Sequence, residues 1–219
     1  AIAQIEGGDE PTVGRVEIVG NRAYTEGTLK SIIRTRAKSF FRPWRSAPLR
    51  SDFIRYDRLA LRDFYRRHGF LSAHADSVEI LHRDESRVEV RFHIVEGPHA
   101  RVDAIDFDGP TAADEEVIRS VIPLEAGGLF EFPAVEVSLA SIDSVYAERG
   151  HVAATIRDSI EVSGDNVRVR FTIDPGPSAR LRRIEVEGTR STKPGFVSRE
   201  VVLLPGAVLS ALVGQFLAA

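Results

Sequence analysis

The sequence predicts an α+β protein of tandem modules, each a three-stranded mixed sheet covered on one face by two helices in the order β-α-α-β-β. Three recurrences predict it. The segment Arg15-Val-Glu-Ile-Val-Gly20 returns as Asp103-Ala-Ile-Asp-Phe-Asp-Gly109 and as Arg183-Ile-Glu-Val-Glu-Gly188, each an alternating strand that runs into glycine. Phe64-Tyr-Arg-Arg-His-Gly-Phe70 is matched by Val145-Tyr-Ala-Glu-Arg-Gly-His151, and Val88 to Pro98 by Val167 to Pro177. Equivalent glycines are 89 and then 79 residues apart, too long for a solenoid unit and suited to a small complete domain.

In the first module, Val16 and Ile18 alternate with Arg15 and Glu17, a half-buried strand that ends at Gly20. Thr25 is placed to cap a helix with Leu29, Ile32 and Ile33 on one face. A second helix runs from about Ser51 to His68; Ile54, Leu61, Phe64 and Tyr65 form its apolar stripe, and Gly69 suits a left-handed C-terminal cap. Strands follow over 71–81 and from Val88 to Ile94, with Arg83 to Ser86 as the turn. The second module repeats the order with Ile105 and Phe107, a helix capped by Thr111, a helix from Pro133 to Arg149, and strands 152–162 and 167–174 around Ser163 to Asn166. A third begins near Ala179 with Leu181, Ile184, Val186 and Gly188 but lacks the closing strands. The expected division is a flexible segment 1–12, modules 13–98 and 99–177, and a truncated start 178–219, disordered or non-natively packed without a partner.

Composition narrows the function. Cysteine is absent, which removes disulfides, thiolate nucleophiles and cysteine-bound metals. With no methionine, and a small-residue start at Ala1-Ile-Ala-Gln4, the chain reads as processed or cut from something longer. The apolar stretch from Phe196 to Ala219 carries Arg199, Glu200 and Pro205, and no uninterrupted part reaches the ~20 residues of a membrane helix. A net charge of −3 hides an asymmetry, because residues 22–67 hold 13 Lys/Arg against 4 Asp/Glu, a local +9 that leaves −12 elsewhere.

No reaction chemistry assembles. His74, His82 and His93 lie on the last two strands of the first module, where a turn at 84–85 pairs 82 with about 87 and 93 with about 76, so no two face each other and no metal site is expected. His68 and His151 flank the capping glycines and read as surface residues. Asp106, Asp108, Glu115 and Glu116 sit where a helix dipole explains them. No Ser/His/Asp set or phosphate-binding glycine loop appears. The sequence therefore predicts neither an enzyme nor a cofactor.

The order of landmarks resembles the POTRA (polypeptide-transport-associated) domain of outer-membrane assembly factors of the BamA and TamA type. The resemblance rests on Gly20, Gly109 and Gly188 after the first strands, Tyr65 with Gly69, Tyr146 with Gly150, and the closing Glu96-Gly-Pro98 and Pro175-Gly-Pro177. Asp57, eight residues before Tyr65, fits the family habit, and Ser138 at the equivalent place departs from it. The resemblance implies a periplasmic array attached to the outer membrane ahead of a C-terminal β-barrel, with unfolded outer-membrane clients and periplasmic or lipoprotein accessory subunits as partners. Its exposed edges are expected at Ser72, His74, Asp76, Val78 and Ile80, and at Val152, Ala154, Ile156, Asp158 and Ile160, where an extended peptide can add as a strand. A partner-docking scaffold, such as a division protein, and a two-partner secretion transporter are the alternatives; tandem copies speak against the division protein.

The first module has a longer connection between its helices, 34–50, in which Arg36, Lys38, Arg42 and Arg45 interleave with Phe40, Phe41 and Trp44. This composition suits a membrane surface or protein partner. It suits nucleic acid less well. It suits best a loop whose aromatics tuck in while its arginines stay solvated, since a charge run is usually only a solvated face.

Overall fold

The computed structural model describes residues 11–37 and 47–179. The expectations for residues 1–10, for Lys38 to Arg45 within the long connection, and for the third repeat with Gly188 lie outside the described residues. The chain divides into two compact units, 1–100 and 101–219.

The first unit runs β1 (Thr12–Val19), α1 (Glu26–Ile32), α2 (Ser51–Arg67), β2 (His74–His82) and β3 (Arg87–Val95). The second runs β4 (Arg101–Asp108), α3 (Ala112–Val121), α4 (Phe132–Glu148), β5 (Thr155–Ser163) and β6 (Asn166–Asp174). The sheets are ordered β1-β3-β2 and β4-β6-β5. Each central strand pairs parallel with the first strand and antiparallel with its hairpin partner, because only the first connection passes through helices.

One sheet face of each unit is buried. In the first, Val16, Ile18, Val88, Val90, Phe92 and Ile94 pack with Leu29, Ile33, Leu61 and Tyr65 of the helices. In the second, Val102, Ile105, Val167, Val169, Phe171 and Ile173 are buried, as are Ile118, Ile142 and Tyr146. Thr25 and Thr111 cap α1 and α3, accepting from the Thr28 and Asp114 amides at 3.2 Å.

Strands β2 and β5 start three residues later than the sequence predicts. After each tyrosine helix the chain keeps winding: Phe70 N–H donates to Tyr65 O and Ala73 N–H to Phe70 O, matched by His151 to Tyr146 and Ala154 to His151. These turns consume Leu71 and Ser72, and Val152 to Ala154. Hairpin pairing is also displaced by one residue, with His82 opposite Val88 and Ser77 opposite His93, because Arg83 N–H bonds Arg87 O and the turn between them takes three residues where two were expected. A bulge between Ala75 and Ser77 then restores the expected register, with Ala75 opposite Ile94. His68 and His151 are half-buried rather than on the surface. His68 Nδ1 lies 2.7 Å from Phe64 O, and His151 Nδ1 lies 3.1 Å from Pro175 O.

The tyrosine-glycine and Glu-Gly-Pro landmarks of the first unit meet in space. Tyr65 donates its hydroxyl to Glu96 Oε1 at 2.9 Å, and the same oxygen accepts the Arg22 and Ala23 amides at 2.7 and 2.9 Å. The end of β3 is thereby tied to α2 and to the turn after β1. In the second unit Pro175 occupies the place of Glu96, so this tie has no counterpart.

Burial, with the Glu96 hydrogen bond and charge next, pushes the Tyr65 phenol well above its ordinary value of 10.0. A raised acid keeps its full stabilising contribution below the unfolded value and loses it as pH rises past about 10, where only the unfolded phenol ionises. Tyr65→Phe is expected to cost about 1–2 kcal/mol at neutral pH, since it leaves Glu96 one donor short. It should also make the first unit's stability less steeply dependent on pH above 10.0, as read by urea unfolding on either side of that value.

Candidate functional site

Each sheet has two edges, and they are not equally open. The β1 edge is occupied by its own chain: Val13 N–H donates to Ala47 O at 2.7 Å, Leu49 N–H to Pro11 O at 2.8 Å, and Ile18 N–H to Glu26 Oε1 at 3.2 Å. The β4 edge is treated likewise, with Val102 N–H donating to Gly128 O and Gly127 N–H to Val102 O, and with Arg119 reaching Ile105 O at 3.1 Å. Backbone groups so engaged cannot receive another strand without breaking these bonds.

β2 and β5 form the opposite edges, and hairpin register decides which of their backbone groups face outward. Ser163 and Asn166 flank the two-residue turn Gly164-Asp165, which makes them a mutually bonded pair. Alternation then turns the N–H and C=O groups of Ile156, Asp158, Ile160 and Val162 away from β6. In β2, Arg83 N–H donates to Arg87 O at 2.9 Å, so Val78, Ile80 and His82 face outward. The bulge reverses the alternation, so that Ala75 rather than His74 or Asp76 is the outward group beyond it. Ala75 O is already covered by Arg58 Nη2 at 3.0 Å. Ser72, Val152 and Ala154 precede the strands and belong to the turns. β5, whose pairing with β6 shows no register shift, presents the longer regular edge.

The sheet faces away from the helices are charged. On the first, Arg91 lies between Glu17 at 2.7 Å and Glu79 at 3.3 Å, and Glu79 also lies 3.2 Å from His93. A carboxylate therefore does stand beside His93, which the expected strand register did not place there. Glu89, only 2% exposed, is covered by the arginines, and its hydrogen bond with Arg83 holds its carboxyl below the usual range. On the second face Asp106 lies 3.6 Å from Arg170, and Asp103 lies 3.4 Å from Arg168. Asp106 is thus bound up with the sheet arginines rather than with a helix dipole. Among the described residues no group of three or more His, Cys, Asp or Glu is placed to hold a metal ion.

The described ends of the long connection are held by their own unit. Arg34 stacks on the Tyr56 ring at 3.6 Å, Arg36 donates to the Ser31 carbonyl at 3.5 Å, and Arg50 pairs with Asp52 at 2.9 Å. The local excess of positive charge has a second location that the expected loop site overlooked. Arg55, Arg58 and Arg62 recur at helical spacing along α2 and, with Leu59, His74 and Ala75, line a shallow groove at the start of β2. The spacing is visible in the sequence; its position beside a sheet edge is not.

No helix among the described residues is long and apolar enough to cross a membrane. A family model described as POTRA, surface antigen variable number repeat, matches residues 11–97 and 100–176. The chain is 26% identical over 200 residues to the outer membrane protein assembly factor BamA of Neorickettsia risticii, which covers 89% of this chain and 27% of that protein. A putative outer membrane protein assembly factor of Treponema pallidum is 25% identical over 218 residues, covering 92% and 24% respectively. The chain thus spans about a quarter of the length of these relatives. Among solved structures, the crystal structure of Haemophilus influenzae BamA POTRA3-5 superposes with a TM-score of 0.51 at 18% identity, over 94% of this chain and 82% of that one. That likeness concerns the fold.

Proposed function

Because the chain belongs to the POTRA family, we propose that it is the periplasmic module array of a BamA-like outer-membrane assembly protein. In this reading it binds unfolded outer-membrane polypeptides and accessory subunits by strand addition. The carrying observation is the contrast between edges. Outward groups of β1 at Val13 and Ile18 and of β4 at Val102 and Ile105 are engaged by their own chain, whereas β2 and β5 turn alternate backbone groups of Val78, Ile80 and His82, and of Ile156, Asp158, Ile160 and Val162, outward. Such groups accept any extended segment with little demand on its side chains, which suits a protein with many clients. The role is binding, and no reaction is assigned to it.

The test is amide chemical-shift perturbation of the chain during titration with an extended peptide from an outer-membrane barrel strand. Shifts are expected along 77–82 and 155–163. Ile80→Pro and Asp158→Pro remove outward N–H groups that the protein's own ladders do not use, so each unit stays folded while binding at that edge weakens at least about tenfold. Ser159→Pro removes an inward donor and should disrupt the hairpin itself. Shifts absent from both edges in the folded chain would overturn the reading.

A further inference from the structure

The groove between α2 and the start of β2 has a charge that the second unit does not share. Arg55, Arg58 and Arg62 line it, with half-exposed Leu59 between them and His74 and Ala75 on its strand side. Aligning Tyr65 with Tyr146 places Glu136, Leu139 and Asp143 at the equivalent positions of α4, with Glu136 and Asp143 exposed. The same helix face, next to the same edge strand, is therefore basic in one unit and acidic in the other. The helix holds to the sheet through its buried stripe of Asp57, Leu61 and Tyr65. Of the three arginines, spaced over two turns beside an apolar side chain, Arg58 reaches the Ala75 carbonyl and Arg62 pairs with the exposed Asp63 at 2.9 Å, a surface pair that an incoming carboxylate can exchange. The arginines also stand where the β2 edge loses its regular ladder. The bulge at Asp76 interrupts the outward backbone groups, and Arg58 covers the Ala75 carbonyl.

We infer that this groove is a subsite for the acidic part of an extended polypeptide, whose carboxylates enter it as the rest of the segment pairs with β2. This rests on the strand-addition reading and adds a selectivity to it. Where the backbone ladder stops, guanidinium groups take over, and they recognise carboxylates by charge and by paired N–H donors. An extended segment is favoured over a lipid headgroup because the groove continues a free strand edge. About 10 Å of helix axis separates Arg55 from Arg62, which matches roughly three residues of a strand. A segment with carboxylates at alternate positions can meet two arginines at once. The second unit, with Glu136 and Asp143 in those places, should repel the same segment.

The experiment uses the whole chain and two eight-residue probes, one alternating valine with glutamate and the other valine with glutamine, followed by amide shifts and titration at low and at physiological salt. The glutamate peptide is expected to shift β2 and the groove and to bind the first unit about fivefold more tightly than the glutamine peptide, a factor that shrinks with salt. The double variant Arg55→Glu, Arg62→Glu should lose that preference and keep its binding of the glutamine peptide. If both peptides shift β2 with equal affinity, strand addition stands and the charge selection is wrong. If neither shifts β2 while vesicles of phosphatidylglycerol bind the wild type and not the double variant, the groove is a headgroup site and the inference falls. Binding of the glutamate peptide at 155–163 in preference to 77–82 would overturn it as well.

Discussion

Gly20→Ala is expected to unfold the first unit while the second keeps its structure. Gly20 has φ +88°, a conformation that costs an L-residue about 1–2 kcal/mol by itself. The larger cost is steric, because a Cβ there would sit 2.1 Å from the carbonyl oxygen of Ile94 in the central strand. That oxygen is main chain, so relief requires the parallel pair of β1 and β3 to separate at its end. The combined penalty should exceed ~4 kcal/mol, a large part of the stability of a domain this size. Gly109 repeats the arrangement in the second unit, with φ +103° and a Cβ position 2.1 Å from Ile173 O. Gly109→Ala should therefore unfold the second unit and spare the first. Amide spectra of the two variants would show which resonances collapse. An unaltered pair of spectra would mean that the first strands are not held against the central strands at these glycines.

Asp57→Ala is expected to cost about 3 kcal/mol, and Ser138→Ala in the second unit less than about 1 kcal/mol, by urea unfolding. Asp57 is fully buried on α2 and accepts the main-chain amides of Arg34 and Thr35 at 2.6 and 2.9 Å. It fixes the chain leaving α1 against α2, and truncation leaves two donors with no acceptor at a buried joint. In the second unit Ile122 ends α3 as Ile33 ends α1, both with extended backbone, so Pro123 stands where Arg34 does. Proline has no N–H to offer. The serine that replaces the aspartate turns back on its own helix, donating to Ala134 O at 2.7 Å. Of the two amides that Asp57 accepts, the one at the place of Arg34 is therefore missing beside Ser138. Equal losses for Asp57→Ala and Ser138→Ala would contradict this account.

The element order, the helix caps at Thr25 and Thr111, the buried alternation of Val88 to Ile94 and of Val167 to Ile173, and the turning glycines were legible in the sequence. Each is set by side-chain period or by the backbone freedom of one residue, and both are local properties. The starts of β2 and β5 were misplaced because the turns after Gly69 and Gly150 are built from main-chain bonds that any side chain permits.

By itself, then, the sequence determined that modules of this architecture exist, in what order their elements run, and which sheet face each buries. The family resemblance pointed to the edge strands, but tertiary structure alone decided which of their backbone groups face outward and how the opposite edges are engaged. Closure of β1 and β4 depends on residues 47–49 and 127–129 reaching strands distant in the chain, and the outward groups of β2 depend on a bulge that a hydrophobic pattern does not record. It also decided that Arg55, Arg58 and Arg62 border β2 rather than open solvent. A helix's charged face is written in its spacing, but what lies across from that face is set by how helix and sheet pack.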